Sequence, residues 1–500
     1  MKNKQLKTTY SSLLALIFGA ILTLSFSPIA IAICAFISVC GFFYLLENST
    51  KLKKKLLIGY LYGVGFFATS ISWVYVSIYA FSQSLLLAIF LSLLFIIVLS
   101  IFFLIFSLLA HICTVTLSPH RVLLYPVIWV ILELGRTFLF TGFPWVLLGY
   151  SQTHNFLSAY ASIGSVYLVS FAVCFIAILF NELVATFWHK RIKKACFFSF
   201  GILITLLLAF LLSHITWTVP AGSKKSVNLI QGNYVQEEKW DPQMLQKIIN
   251  YYYQATDKNS ADLIFWPENA IPTFKPYIEP FLQQINELGK AHNNAILVGT
   301  VALNKQDQYF NSAFVYGNGS GHYYKHHLVP FGEYYPFAKW LEPLMQHFSI
   351  PMSSFTKGQE IQPLLDMNGI SVALYICYES AYPTELRAQL QNADLIGIIS
   401  DDAWFGDSLA PWQHLEIAQM RAIETGRYVI QATNNGVTAI INPKGEITKH
   451  LPQNTQAILS GYITPMKGNT IWLLYGLYPL FALMLMFIAI SVLTRFFNRR

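Results

Sequence analysis

Eight stretches of this chain are too long and too apolar to lie on the surface of a water-soluble fold. They fall near residues 11–26, 29–46, 57–78, 85–110, 122–140, 159–183, 196–215 and 471–493. A helix needs about 20 mostly apolar residues to cross the hydrocarbon core of a bilayer. The pattern therefore predicts a polytopic α-helical membrane domain of about eight spans, seven before residue 220 and one at the far end. The first two stretches are short and joined by Ser27-Pro28, which predicts a tight hairpin. Composition agrees. The chain is 55% hydrophobic and 12% charged, whereas soluble domains carry about 25% charged residues. Disorder, a collagen-like fibre and a purely soluble enzyme are excluded.

The basic residues orient these spans. Lys2, Lys4 and Lys7 precede the first, and Lys51, Lys53, Lys54 and Lys55 separate the second from the third. His120 and Arg121 follow the fourth, Lys190, Arg191, Lys193 and Lys194 follow the sixth, and Arg495, Arg499 and Arg500 close the chain. With eight spans every cluster lies on one side, and the positive-inside rule makes that side the cytoplasm. Both termini are then cytoplasmic, and the segment between the seventh and eighth spans is external. The net charge of +8 is a topology signal, and no nucleic-acid partner is expected. Ala30-Ile31-Ala32 resembles a signal-peptide cleavage site, but another apolar stretch follows at once, so the first span is expected to remain. The expected domains are 1–219 in the membrane, 220–465 outside it, and 466–500 as a final span with a cytoplasmic tail.

The external segment alternates strand-like and helical runs. Strands are predicted at 226–231, 261–267, Ala295–Leu303, 309–316, 322–328, 372–377, 394–400, 428–433 and 437–441. Helices are predicted at 241–256, 276–293, 383–391 and 411–426. This is an α/β layered domain. Of the six cysteines, Cys34, Cys40, Cys113, Cys174 and Cys196 lie in or beside spans. Cys377 has no partner within 220–465 for a disulfide, so it is either a buried small hydrophobe or a used thiol.

Three strand ends carry reactive side chains, where α/β folds usually place function. They are Phe265-Trp266-Pro267-Glu268-Asn269, the run from Tyr324-Lys325 to Gly332-Glu333, and Ala373 to Cys377-Tyr378-Glu379. Each has a plain reading on its own: a solvated carboxylate, a hairpin lysine, a core cysteine. Together they supply what acyl transfer needs, namely a soft nucleophile, a base for its proton and a cation beside the developing oxyanion. His326 and His327, adjacent on a predicted strand, point to opposite faces and cannot share one ion; no metal site is expected.

Glu268, Lys325 and Cys377, in this order, resemble the Glu–Lys–Cys triad of the nitrilase, or carbon–nitrogen hydrolase, superfamily. The membrane frame is similar to that of the apolipoprotein N-acyltransferase family. So are Gly142-Phe143-Pro144-Trp145, Gly149-Tyr150-Ser151-Gln152, Gln231-Gly232-Asn233, Lys239-Trp240, Asp402-Ala403-Trp404-Phe405-Gly406, Arg421-Ala422-Ile423-Glu424 and Thr433-Asn434-Asn435-Gly436. One departure is visible: that family usually has Ser-Asn-Asp where this chain has Ser400-Asp401-Asp402. The resemblance implies an αββα sandwich for the external domain.

It also implies roles. Glu268 is the general base, Lys325 stabilises the oxyanion, and Cys377 is the nucleophile. Glu333, Tyr378 and Glu379 support them, and Trp240, Trp404, Trp145 and Tyr150 contact substrate. An acyl chain passes from a membrane phospholipid through a Cys377 thioester to the α-amine of a diacylglyceryl-cysteine at an apolipoprotein N-terminus. No cofactor is needed, and a monomer in the bacterial inner membrane, with a periplasmic catalytic domain, is expected. The apolar 340–355 segment is expected to be a lid at the bilayer. Two other readings stand beside this one. A membrane-tethered nitrilase-type amidase would share the triad but hydrolyse a small amide, passing its intermediate to water. A transporter with an external binding domain would need a polar path, and the spans offer little beyond Glu133 and Arg136.

Overall fold

In the computed structural model the described residues are 8–117, 121–258, 260–335 and 355–497. The chain divides into two compact units, Met1–Ile215 with Tyr475–Arg500, and Thr216–Leu474.

The first unit is helical. Among the described residues, Leu85–Val115, Phe156–Trp188, Ile192–Ser213 and Tyr478–Arg495 are long and apolar enough to cross a membrane. Leu52–Ser70 and Val74–Ser82, bent by 62° at their junction, make a fifth if taken as one span. The expected eight are not reached on this measure, for two physical reasons. Thr8–Thr23 and Ile33–Glu47 hold 16 and 15 residues; at about 1.5 Å per residue such helices fall short of a hydrocarbon core about 30 Å thick. Arg121–Phe138 is interrupted by charge, with Glu133 and Arg136 buried in its second half. The Trp129 indole and the Leu148 amide both donate to Glu133 Oε1, at 3.0 and 2.8 Å. Thr8–Thr23 and Leu52–Ser70 approach closely at glycine: a Cβ on Gly19 would stand 2.1 Å from the Tyr62 carbonyl oxygen. Small residues permit such contact between apolar helices.

The second unit is built on two sheets. In one, the strands run Ala457–Ile463, Lys225–Gln231, Leu263–Phe265, Ala295–Leu303, Tyr309–Gly317 and His322–Tyr324, with Ile271–Phe274 also on Ala295–Leu303. In the other, the order is Ile447–His450, Ala439–Ile441, Val429–Thr433, Leu395–Ser400, Ile370–Ile376, Leu365–Met367 and Gly319–Ser320. Each sheet has a parallel core of three strands flanked by antiparallel ones. Side chains alternate across the first sheet. Ile230, Ile264, Ile296 and Val298 meet Ile248, Tyr252, Leu282 and Ile285 of the helices Pro242–Asp257 and Glu279–His292. The opposite face carries Leu263, Phe265 and Leu297, all fully buried. The sheets meet closely there, since a Cβ on Gly397 would lie 3.1 Å from the Phe265 ring. Strands covered on both faces read as continuous apolar runs, which explains why the sequence marks them.

Three elements depart from expectation. The helix predicted at 383–391 shrinks to Arg387–Leu390, because Leu386 before it takes a left-handed φ of 54°. The strand predicted at 322–328 stops at Tyr324, and Lys325 begins a loop. Short strands such as Leu365–Met367 and Ile447–His450 carried no signal strong enough to predict. The apolar 340–355 segment lies, apart from Phe355, outside the described residues. Near the end of the unit, Arg427 is buried and donates to the carbonyls of Ala393, Thr425, Gln391 and Gly468 and to the Asn469 side chain. Burial pulls its guanidinium down to about 10, still charged at neutral pH.

Candidate active site

Three strand ends bring the site together. Leu263–Phe265 leads into Glu268, His322–Tyr324 into Lys325, and Ile370–Ile376 into Cys377. Lys325 is 1% exposed. Its Nζ lies 3.3 Å from Glu268 Oε1 and 3.0 Å from the Glu333 carboxylate. A buried cation needs such partners, because leaving water costs several kcal/mol per ion, on the order of the loss from breaking the pair. Burial alone would lower the lysine, but Glu268, Glu333, Cys377 and Glu379 outweigh it and hold Lys325 above its ordinary range. It is a permanent cation.

Asn311 braces both carboxylates. Its Nδ2 donates to Glu268 Oε1 at 2.6 Å and to Glu333 Oε1 at 2.7 Å. The second oxygen of Glu268 accepts from the Asp401 backbone N–H at 2.8 Å, and the second oxygen of Glu333 from Val329 N–H at 2.8 Å. Glu379 fastens the lysine loop to the cysteine strand. Its Oε1 accepts from Tyr323 Oη, His326 N–H and His327 N–H at 3.0, 2.7 and 3.0 Å. Its Oε2 accepts from Ile376 N–H at 2.7 Å. Burial pushes this carboxyl up to about 7, against the pull of those donors and of Lys325.

Cys377 is partly exposed and takes φ 55°, a left-handed conformation that costs a non-glycine residue about 1–3 kcal/mol and clusters at functional sites. The strand turns there into a short 3-10 helix, Cys377–Ala381. Burial raises the thiol well above its ordinary value, Glu268 raises it further, and Lys325 opposes both. At rest the sulfur is a thiol beside a carboxylate that can take its proton and a cation that can meet a developing anion.

The supporting tyrosine and the aromatic candidates separate. Tyr378 Oη accepts from Tyr382 Oη at 3.1 Å. Trp240 is 44% exposed, directly after Lys239, while Trp404 is half-buried in Asp402–Phe405. Trp145 and Tyr150 belong to the helical unit, where both are buried. His326 and His327 are not on a strand, so the alternation expected of them does not apply. Their rings nevertheless part, to the Gly358 carbonyl and to Glu385, each at 3.0 Å. Among the described residues no three His, Cys, Asp or Glu side chains are gathered as metal ligands.

Sequence reasoning missed several participants. Lys239 Nζ pairs with Asp401 Oδ2 at 2.5 Å, and both are buried. Asn434 donates to the other Asp401 oxygen at 3.0 Å. The extra carboxylate at 401 is thus half of an internal ion pair. Lys239 stood in a segment already marked by resemblance, and its place before Trp240 was the available signal. Asn311 was legible only as a polar interruption of an apolar strand.

The carbon-nitrogen hydrolase family model matches residues 226–467, and the model of the apolipoprotein N-acyltransferase N-terminal domain matches residues 18–179. An apolipoprotein N-acyltransferase of Coxiella burnetii is 39% identical over 97% of this chain and 100% of its own length. Those of Azotobacter vinelandii and Photobacterium profundum are 38% and 37% identical over 97% and 96% of this chain and 95% and 94% of theirs. On identity sustained along almost the whole sequence, the chain belongs to the apolipoprotein N-acyltransferase family.

Proposed function

We propose that Cys377 carries an acyl group between a membrane phospholipid and the N-terminal amine of a diacylated apolipoprotein. The observation that carries this is the buried Lys325 ammonium held between Glu268 and Glu333, beside a cysteine on a strained strand end. Glu268 takes the thiol proton as sulfur attacks the ester carbonyl, and the oxyanion forms against Lys325. Collapse of that intermediate expels the lysophospholipid, which leaves with the proton from Glu268. The neutral acceptor amine then attacks the thioester, Glu268 accepts its proton, and the sulfur departs and takes that proton back, restoring thiol and carboxylate. Glu333, Asn311 and Glu379 keep lysine and carboxylate in register. In this reading Tyr378, Trp240 and Trp404 contact acyl chain or acceptor, and Trp145 and Tyr150, both buried within the helical unit, are the lipid-side candidates.

The membrane frame of this reading has eight passes. It counts the four long helices, the bent pair, the two short helices and Arg121–Phe138 as one pass each. It places both termini in the cytoplasm and Thr216–Leu474 in the periplasm, as a monomer in the inner membrane. The test is intact mass measurement after exposure to phospholipid. A fatty-acyl increment on Cys377, lost on adding a diacylated lipopeptide with formation of a triacylated product, is expected. Hydrolysis of a small amide, with neither lysophospholipid nor triacylated product formed, would establish the amidase alternative instead.

A further inference from the structure

The buried ion pair of Lys239 and Asp401 holds Glu268 at two points. Lys239 closes the short helix Gln236–Lys239, and its Nζ donates to the Glu268 main-chain carbonyl at 3.3 Å and to Asp401 Oδ2 at 2.5 Å. Asp401 follows the strand Leu395–Ser400, and its N–H donates to Glu268 Oε2 at 2.8 Å. One pair thus grips both the backbone and the carboxylate of a single residue. The neighbouring strand leaves that backbone little room, since a Cβ on Gly299 would stand 2.1 Å from the Pro267 carbonyl oxygen and 3.0 Å from the Glu268 Cα. Both Asp401 oxygens receive donors, as an ionised carboxylate does. Oδ1 accepts from Asn434 Nδ2 at 3.0 Å and from Ala403 N–H at 3.3 Å, and Oδ2 accepts from Lys239. Lys239 and Asp401 are 1% and 6% exposed, so water and salt screen their charges little.

We propose that Lys239 and Asp401 are positioning residues that serve Glu268 as one neutral unit: together they fix its backbone and its carboxylate, and each cancels the charge the other would impose on it. The proposal rests on Glu268 being the base. Among the described residues, the charged and titratable groups facing Glu268 are Lys325, Glu333 across Asn311, the Cys377 sulfur and this pair. The field of Asp401 also reaches Tyr252 of the helix Pro242–Asp257. Removing one member of the pair leaves a single charge beside the base. A lone Asp401 carboxylate favours the protonated base, and a lone Lys239 ammonium favours the ionised one. Removing both restores neutrality but leaves the Glu268 carbonyl without its donor. A pair that only braced the fold would slow each variant without moving its pH dependence in opposite directions.

The test uses the full-length protein in detergent, with phospholipid and no acceptor, and follows the acyl increment on Cys377 by intact mass against pH. The acid limb, where the rate rises as the base ionises, is expected to move up by about one pH unit in Lys239→Met and down by about one in Asp401→Asn. That is the scale of one unit charge about 10 Å away at an effective dielectric constant of about 20. Lys239→Arg stays near the wild-type limb. So does the double variant Lys239→Met with Asp401→Asn, which acylates about fivefold more slowly for want of the donor to Glu268. Folded single variants whose limbs overlay the wild type or move the same way overturn the proposal, as does a double variant as fast as the wild type. Where Lys239→Met does not fold, Asp401→Asn decides alone, and a limb that stays or rises overturns the proposal. Glu268→Gln that keeps the wild-type rate and limb defeats the reading of Glu268 as base, and the proposal with it. Glu268→Gln that loses the rate, beside single variants with unmoved limbs, defeats the proposal alone. A wild-type chain that gains no acyl group defeats the acyl-transfer reading. The pH midpoint of Cys377 alkylation by iodoacetamide, mapped by peptide to separate it from the exposed Cys196, then judges the pair, and the absence of opposite shifts there overturns it.

Discussion

Glu268 acts on Cys377 in two opposing ways, and one substitution separates them. As the proposed base it takes the thiol proton; as a nearby negative charge it makes that proton harder to lose. Glu268→Gln is expected to shift Cys377 alkylation toward lower pH, because the repelling charge is gone. Acyl transfer falls by about 10²–10⁴-fold, because no base remains. Parallel alkylation and acylation profiles check both signs. Lys239 poses a stability question. It neutralises Asp401 inside the protein, and the Asp401 amide in turn positions Glu268. Lys239→Met strands a buried carboxylate and is expected to cost about 3–5 kcal/mol. The pair Lys239→Met with Asp401→Asn recovers most of it, as thermal denaturation in detergent would show. At this scale Glu268 and Cys377 stood out because each closes an apolar strand, whereas Lys325 was marked by resemblance alone. His414 was not legible. A histidine in a helix looks ordinary until the fold sets its ring 3.2 Å from the Cys377 carbonyl oxygen.

Between elements, Glu379 is the fastening. It receives three main-chain N–H groups and a tyrosine hydroxyl from two segments. Its folded value of about 7 stands above the unfolded value of about 4.3. The folded state thus binds the extra proton, and stability from this group is full below the unfolded value and is lost as pH rises toward 7. Glu379→Gln is expected to flatten that slope in the thermal midpoint. It also lowers stability by about 1–3 kcal/mol, because an amide cannot accept from all four donors. The parallel strands could be read from sequence because burial on both faces makes them apolar throughout. The edge strand Ile447–His450 is largely exposed and resembles any polar loop. The helix at 383–391 was overcalled because its composition cannot reveal the left-handed Leu386 that delays it.

For the molecule as a whole, the basic clusters make one demand, that every positive loop share a side. In intact spheroplasts, protease added outside is expected to cut within Thr216–Leu474, at exposed sites such as the turn around Asp307. A C-terminal tag stays intact until the membrane is opened; early loss of the tag would reverse the proposed orientation. Hydropathy located the apolar stretches, since it depends on composition alone. It did not reveal their lengths as helices, because turns such as the break between Ser70 and Val74 leave the average unchanged.

Arg427 gives the catalytic unit a mechanical property. One guanidinium ties the end of a buried helix, two loop carbonyls beside the sheet and the chain just before its return to the helical unit. Tension on that return segment is expected to be borne first at Gly468 and Asn469, its two contacts with Arg427, before it reaches the Met466–Lys467 strand paired with Val219–Pro220.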